Sequence, residues 1–152
     1  MDLVDGLKVF LATNFALYLK THNAHWNVTG MFFPRLHSMF GDQYQDLFDQ
    51  VDLIAEKIRE LDTFAPGSLA EYKALSLVDD LEGILDAKGY VERLLKDHER
   101  MIIFLNKLFP VAEAENNQAI MNYIAERLDA HAKTRWQLRT LLNPVGGSLS
   151  AI

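Results

Sequence analysis

Apolar residues return along this chain at steps of three and four rather than in alternation, which predicts helices joined by turns. From about 34 to 62 the stripe runs through Leu36, Phe40, Leu47, Val51, Ile54, Ile58 and Leu61. Pro34 suits the first turn of that helix, and no proline follows until Pro66. Upstream, residues 3 to 28 carry Leu7, Leu11, Phe15 and Tyr18 on one face, and His22 and His25 continue the same line. Gly30 and Pro34 in NVTGMFFP separate the two helices by a short connection. The pair is then an antiparallel hairpin, with His25 and His37 at facing ends of it.

The second half repeats the pattern after a long link. In TFAPGSLAEYKALSLVD, Pro66 and Gly67 stop the preceding helix, and Ser68 and Glu71 have capping-box spacing for one short helix. A connection of about sixteen residues exceeds the ~2 to 8 usual between bundle helices, so it reads as a crossover along the bundle. Ser76 and Asp79 repeat the capping spacing, and Leu81, Ile84, Leu85, Val91, Leu94, Leu95, Met101, Ile102 and Leu105 carry a third long helix to Pro110. The fourth, about 116 to 142, carries Ile120, Tyr123, Ile124, Leu128, Leu138 and Leu142 and ends at Asn143 and Pro144. Four long helices with one long middle crossover form the ferritin-like bundle arrangement. The expected fold is all-α, one domain over 1–152.

Composition narrows the chemistry. The chain has 152 residues and no cysteine, which excludes disulfides, thiolate zinc sites and thiol redox chemistry. No apolar run approaches ~18 residues, and MDLVDGLKVF lacks the basic start and cleavage site of a signal peptide, so no membrane association and a cytoplasmic location are expected. Fifteen basic against twenty-one acidic residues give a net charge of −6, without a basic cluster that could track phosphates.

Ligand-type side chains concentrate between 25 and 56. Asp52 and Glu56 lie four apart on one helix face, within reach of a common cation. His37 lies on the same helix, but at ~1.5 Å per residue it is about 22 Å from Asp52, whereas a metal bond to imidazole or carboxylate is only ~2.0–2.2 Å. One copy cannot close such a site. Two copies related by a two-fold axis can, because antiparallel pairing brings the histidine end of each helix to the acid end of the other. Taken alone, an acid pair from the stripe Asp42, Asp46, Asp49, Asp52, Glu56 and Glu60 is an ordinary solvated face, and it gains meaning only with His25 and His37. His22, His98 and His131 are read as structural. None of the five histidines has a glutamate three residues before it, which excludes the E-x-x-H pattern of other di-iron bundles.

The runs AHWNVTGMFFPRLHSMF and VDLIAE resemble the Dps family of miniferritins, in which a His-Trp pair, a second His twelve residues later and a D-x-x-x-E line the iron-oxidising centre. GSLAEY is similar to the family's crossover helix, and His131, Lys133, Trp136 and Arg139 to its last-helix pattern. The resemblance implies that His25 and His37 of one subunit and Asp52 and Glu56 of its neighbour bind iron. It also implies a dodecameric hollow shell that oxidises Fe(II), with hydrogen peroxide as favoured oxidant, and stores the ferric product. Zinc is the expected competitor for these ligands. Trp26 is open to two readings, an electron donor beside His25 or a packing residue. The alternative to a ferroxidase is a non-enzymatic cage or DNA-associated structural protein whose site holds zinc or stays empty.

Three positions depart from the family. An acid usually stands four residues after the second histidine, where this chain has Gly41, with Asp42 about 100° further around the helix. A weakly held second iron is expected. The pore through which iron enters is lined in the family by acids at the start of the last helix; alignment on His131 and Trp136 puts Asn117 and Asn122 at two of those places and Glu126 at the third. Glu113 and Glu115 are candidates to replace the missing charge. Members that coat DNA resemble one another in flexible basic tails. Here the first helix starts at once and NPVGGSLSAI carries no side-chain charge, so DNA binding is not expected.

Overall fold

The computed structural model describes residues 1–143 and forms five helices over them: α1 (Leu3–Asn27), α2 (Phe33–Glu60), α3 (Leu69–Leu75), α4 (Ala87–Ala114) and α5 (Gln118–Leu142). The end from Pro144, which holds most of the uncharged tail, lies outside the described residues. No strand occurs among the described residues. α1 packs along α2 and α4 along α5, while α1 also meets α4 and the short α3 of the crossover. This is the expected four-helix bundle.

Local chemistry sets the helix ends. Asp2 caps α1 by accepting from the Asp5 N–H at 2.8 Å. Ser68 and Glu71 form the expected capping box of α3. Gly30, at φ 108°, makes the turn between α1 and α2, and Asn116, at φ 54°, makes the tight one between α4 and α5. Asparagine tolerates that left-handed conformation better than most side chains.

Two boundaries differ from the expected ones. The third long helix begins at Ala87, not near Leu81, because Asp86 is its cap and accepts from the Gly89 N–H at 2.8 Å. Ser76, read as a helix start, instead ends α3 and exchanges hydrogen bonds with the Val78 backbone. Gly83, at φ 79°, keeps the intervening segment out of a helix. The same helix also runs through Pro110 to Ala114. A proline there removes one backbone donor, and the buried Leu108 and Ala112 on either side hold the helix to the core across the defect.

α1 buries Leu7 and Leu11 of the expected row and, beside them, Leu3, Phe10, Asn14, Leu17, Thr21 and Ala24. Phe15, Tyr18, His22 and His25 on the expected row are only half-buried. This helix therefore has two useful faces, one for the core and one lined with rings.

The core itself is divided. One apolar cluster joins the start of α1, the end of α2, the end of α4 and the start of α5, around Leu7, Phe10, Ile58, Leu105 and Ile124. The other joins the opposite ends, around Leu17, Phe40, Tyr90, Leu94 and Leu138. By helix register, a polar waist lies between them. There Asn14 donates to the Leu47 carbonyl at 2.9 Å, Lys20 pairs with Asp97 at 2.6 Å, and Arg127 grips both oxygens of Asp46 at 3.1 and 2.8 Å. Removing one partner of a buried pair such as Lys20–Asp97 costs about 3–5 kcal/mol, since the other charge is left uncompensated. The waist thus fixes which helix faces meet.

Candidate metal centre

The hairpin brings His25 and His37 together. Their rings stack with centroids 3.7 Å apart and planes 18° from parallel. Each ring is held by the other residue's backbone: His25 Nδ1 donates to the His37 carbonyl at 2.6 Å, and His37 Nδ1 donates to the His25 carbonyl at 2.7 Å. A carbonyl can only accept, so both Nδ1 atoms carry the proton and both Nε2 atoms of the neutral rings keep a lone pair. That is the tautomer a metal ligand needs, fixed by a reciprocal pair of bonds.

Gly41 is part of this arrangement. A Cβ at this position would stand 3.2 Å from Cε1 and Nδ1 of His25, tighter than ordinary contact. The bare backbone of α2 is what lets the His25 ring lie where it does. Asp42, the nearest acid in sequence, is exposed on the surface.

Asp52 and Glu56 are both exposed, one turn apart near the other end of α2. A hydrogen bond from Asp52, and then its charge, hold the Glu56 carboxyl above the usual carboxylate range. Two carboxylates one turn apart repel each other, and a cation bound between the two would relieve that repulsion. The histidine pair and the acid pair do not meet within one chain. Among the described residues, no three His, Asp or Glu side chains of a single chain gather in metal-binding geometry.

Trp26 is 57% exposed and lies on His22, with ring centroids 3.8 Å apart. Of the three pore positions, Asn117 caps α5 by accepting from the Ile120 N–H at 3.1 Å. Asn122 donates to Glu126 Oε1 at 3.1 Å, one turn along the same helix.

The remaining histidines divide. His98 and His131 are buried in the waist and joined Nδ1 to Nδ1 at 2.9 Å, so one ring donates and the other accepts. Burial, reinforced by Arg127, pushes His98 down to about 3, and burial together with His98 lowers His131 as well. His22 stacks parallel on Tyr44, with centroids 3.8 Å apart and planes 7° from parallel, and shares a 3.1 Å hydrogen bond with the Tyr18 hydroxyl. Tyr18 and Tyr44 were not singled out for chemistry in the sequence. Each lies seven residues, two helical turns, from a site histidine (Tyr18 from His25, Tyr44 from His37), and that spacing was the available signal.

The sequence profile described as Ferritin-like domain matches residues 4–145. The chain is 30% identical over 142 residues to DNA protection during starvation protein 2 of Bacillus anthracis, covering 93% of this chain and 97% of that protein. The chain belongs to the Dps family. Solved Dps structures agree with it in fold: that from Staphylococcus aureus superposes with a TM-score of 0.89 at 26% identity, covering 92% of this chain and 94% of the other. Dps from Thermosynechococcus elongatus gives 0.90 at 26% identity, with 92% and 89% covered. No helix among the described residues of this Dps chain is long and apolar enough to cross a membrane.

Proposed function

We propose that this chain is a miniferritin that oxidises Fe(II) with hydrogen peroxide at sites shared between two subunits and stores the ferric product inside a twelve-subunit shell. Dps membership supports iron storage and protection from oxidative damage. The observation that carries the finer reading is the histidine pair, with both Nδ1 protons fixed on carbonyls and both Nε2 lone pairs free. Imidazole nitrogen with carboxylate oxygen suits Fe(II), and so small a ligand set leaves positions open for peroxide.

The acid pair completes the site from a neighbouring copy. Leu19, Phe48 and Leu53 are exposed on α1 and α2, apolar surface that a second copy can cover while it carries its own Asp52 and Glu56 to His25 and His37. In the reaction two ferrous ions give up one electron each, the O–O bond breaks, and two protons complete two waters. Taking both electrons from iron prevents release of hydroxyl radical.

Mixed assembly tests the shared site. Subunits carrying His25→Ala and His37→Ala are co-assembled with subunits carrying Asp52→Ala and Glu56→Ala, each inactive alone. A mixed dimer regains one complete site of its two, so peroxide-driven ferric absorbance returns in part. No recovery in a shell verified to contain both subunits overturns the shared-ligand reading. Uncatalysed kinetics in the wild-type protein overturn the ferroxidase reading itself.

A further inference from the structure

Gly41 lies in the interior of α2, and unlike Gly30 and Gly83 it does not take a positive φ. The backbone there makes no demand for glycine, which destabilises a helix interior relative to alanine. What stands in the way of a side chain is His25. A Cβ on residue 41 would meet that ring 3.2 Å from both Nδ1 and Cε1, so the ring would have to yield by a few tenths of an ångström. It has little room to do so. The ring is stacked on His37 with centroids 3.7 Å apart, and its Nδ1 donates to the His37 carbonyl at 2.6 Å. Because His37 Nδ1 donates in turn to the His25 carbonyl, a shift of one ring disturbs the whole pair.

The contact falls on the Nδ1 side of the ring, while Nε2, the atom free to meet a metal, lies more than 4 Å from that Cβ. A carboxylate carried on the Cβ therefore starts beside the Nδ1 proton, where it competes with the His37 carbonyl, and not beside a metal. Resting on the shared-site reading above, we propose that Gly41 is a positioning residue for the centre: its missing side chain keeps the reciprocal bonds of His25 and His37 in place, and an acid at this position weakens metal binding instead of adding a ligand. α2 thus carries a destabilising residue for the sake of ring geometry. Losing the group that orients a ligand imidazole costs about 10–100-fold in metal affinity.

The test titrates the full-length protein anaerobically with Co(II), which takes the same imidazole and carboxylate donors and reports them in its visible absorption. Gly41→Ala, which adds one methyl group and no charge, is expected to weaken Co(II) binding about ten-fold and to shift the absorption of the bound ion. Gly41→Asp is expected to weaken it at least as much. The metal-free protein separates this effect from damage to the fold. Its thermal midpoint does not fall in Gly41→Ala, and in a His25→Ala background the same change raises the midpoint by about 2–4 °C, more than it does beside the intact ring. Wild-type affinity in Gly41→Ala overturns the inference alone, as do tighter binding or a second bound ion in Gly41→Asp, a midpoint that falls in Gly41→Ala, or an equal gain in both backgrounds. A Co(II) titration that His25→Ala with His37→Ala leaves unchanged overturns the shared-site reading and this inference with it.

Discussion

The chain holds two histidine pairs that differ in where each ring sends its Nδ1 proton. His98 and His131 spend theirs on each other, inside a waist flanked by apolar clusters, and burial keeps both neutral far below the usual imidazole range. His25 and His37 give theirs to backbone carbonyls at the edge of a hairpin, half-buried, with Nε2 left over. Identical side chains, tilted with centroids 5.1 Å apart in the first pair and stacked 3.7 Å apart in the second, thus form a buried structural lock in one place and leave both Nε2 atoms available as ligands in the other. What decides is whether the backbone or the partner ring takes the donor.

The largest expected effect follows from removing the proposed ligand pair. His25→Ala with His37→Ala lowers the initial rate of peroxide-driven Fe(II) oxidation by 100-fold or more, beyond the ~10–100-fold typical of losing a residue behind the ligands. Stopped-flow absorbance measures it. His98→Leu in the same assay stays within about two-fold of the wild-type rate, and a large loss there would erase the functional distinction between the pairs.

Next in size is the acid pair. Asp52→Asn with Glu56→Gln weakens Fe(II) binding at least ten-fold in anaerobic titration, because two charged oxygen donors become neutral ones. Glu56 is held above its usual range by Asp52, so protons compete with metal at a higher pH than they do at an isolated glutamate. Apparent affinity in the wild-type protein therefore declines as pH falls through that raised value. Affinity flat from pH 7 to 4 would show that the acids are not ligands.

The structural pair answers to stability instead. His98→Leu leaves the buried His131 Nδ1 without its partner and costs about 1–3 kcal/mol, measured by thermal or denaturant unfolding of verified shells. pH gives an independent handle. Both rings have folded-state pKa values depressed below the usual imidazole value of 6.5, to about 3 for His98. The unfolded chain then binds more protons than the folded one between those limits, so stability is full above about 6.5 and is lost as pH falls toward 3. His98→Leu flattens the part of that slope due to His98. A wild-type midpoint that does not fall from pH 7 to 4.5 contradicts buried neutral histidines.

Much of this comparison is legible in the sequence. Periodicity located the long helices, and the turn at Gly30 and Pro34 implied that His25 and His37 approach. The capping box at Ser68 and Glu71 was explicit. What escaped followed from tertiary context. Nothing in the spacing says that two imidazoles trade bonds with each other's carbonyls, since that depends on how closely α1 and α2 pack at Gly41. Ser76 and Asp79 mimic a cap as well as Asp86 does, and only the Gly83 turn decides between them. Pro110 reads as a stop locally, yet core burial on both sides carries the helix past it. The polar waist was hidden because Asn14, Gln43 and His98 break apolar rows only one residue at a time.

The smallest effect concerns supply of iron to the ligand pair and uses Asn117. Its side-chain oxygen caps α5, and aspartate caps a helix as well as asparagine does while adding a negative charge that the helix N-terminus favours. Asn117→Asp is therefore expected to leave stability within about 0.5 kcal/mol. Asn122 is a poorer choice, because Asn122→Asp turns its hydrogen bond to Glu126 into a like-charge contact. If the start of α5 lines the pore through which iron enters, one added carboxylate per subunit raises the local Fe(II) concentration. The initial uptake rate then rises about two- to ten-fold at low salt, and the gain shrinks as salt shortens the ~10 Å screening length found at 0.1 M. Core mineralisation rates at 10 and 300 mM salt measure this. A rate indifferent to Asn117→Asp at low salt removes α5's N-terminus from the route, while the prediction for His25 and His37 stands unchanged.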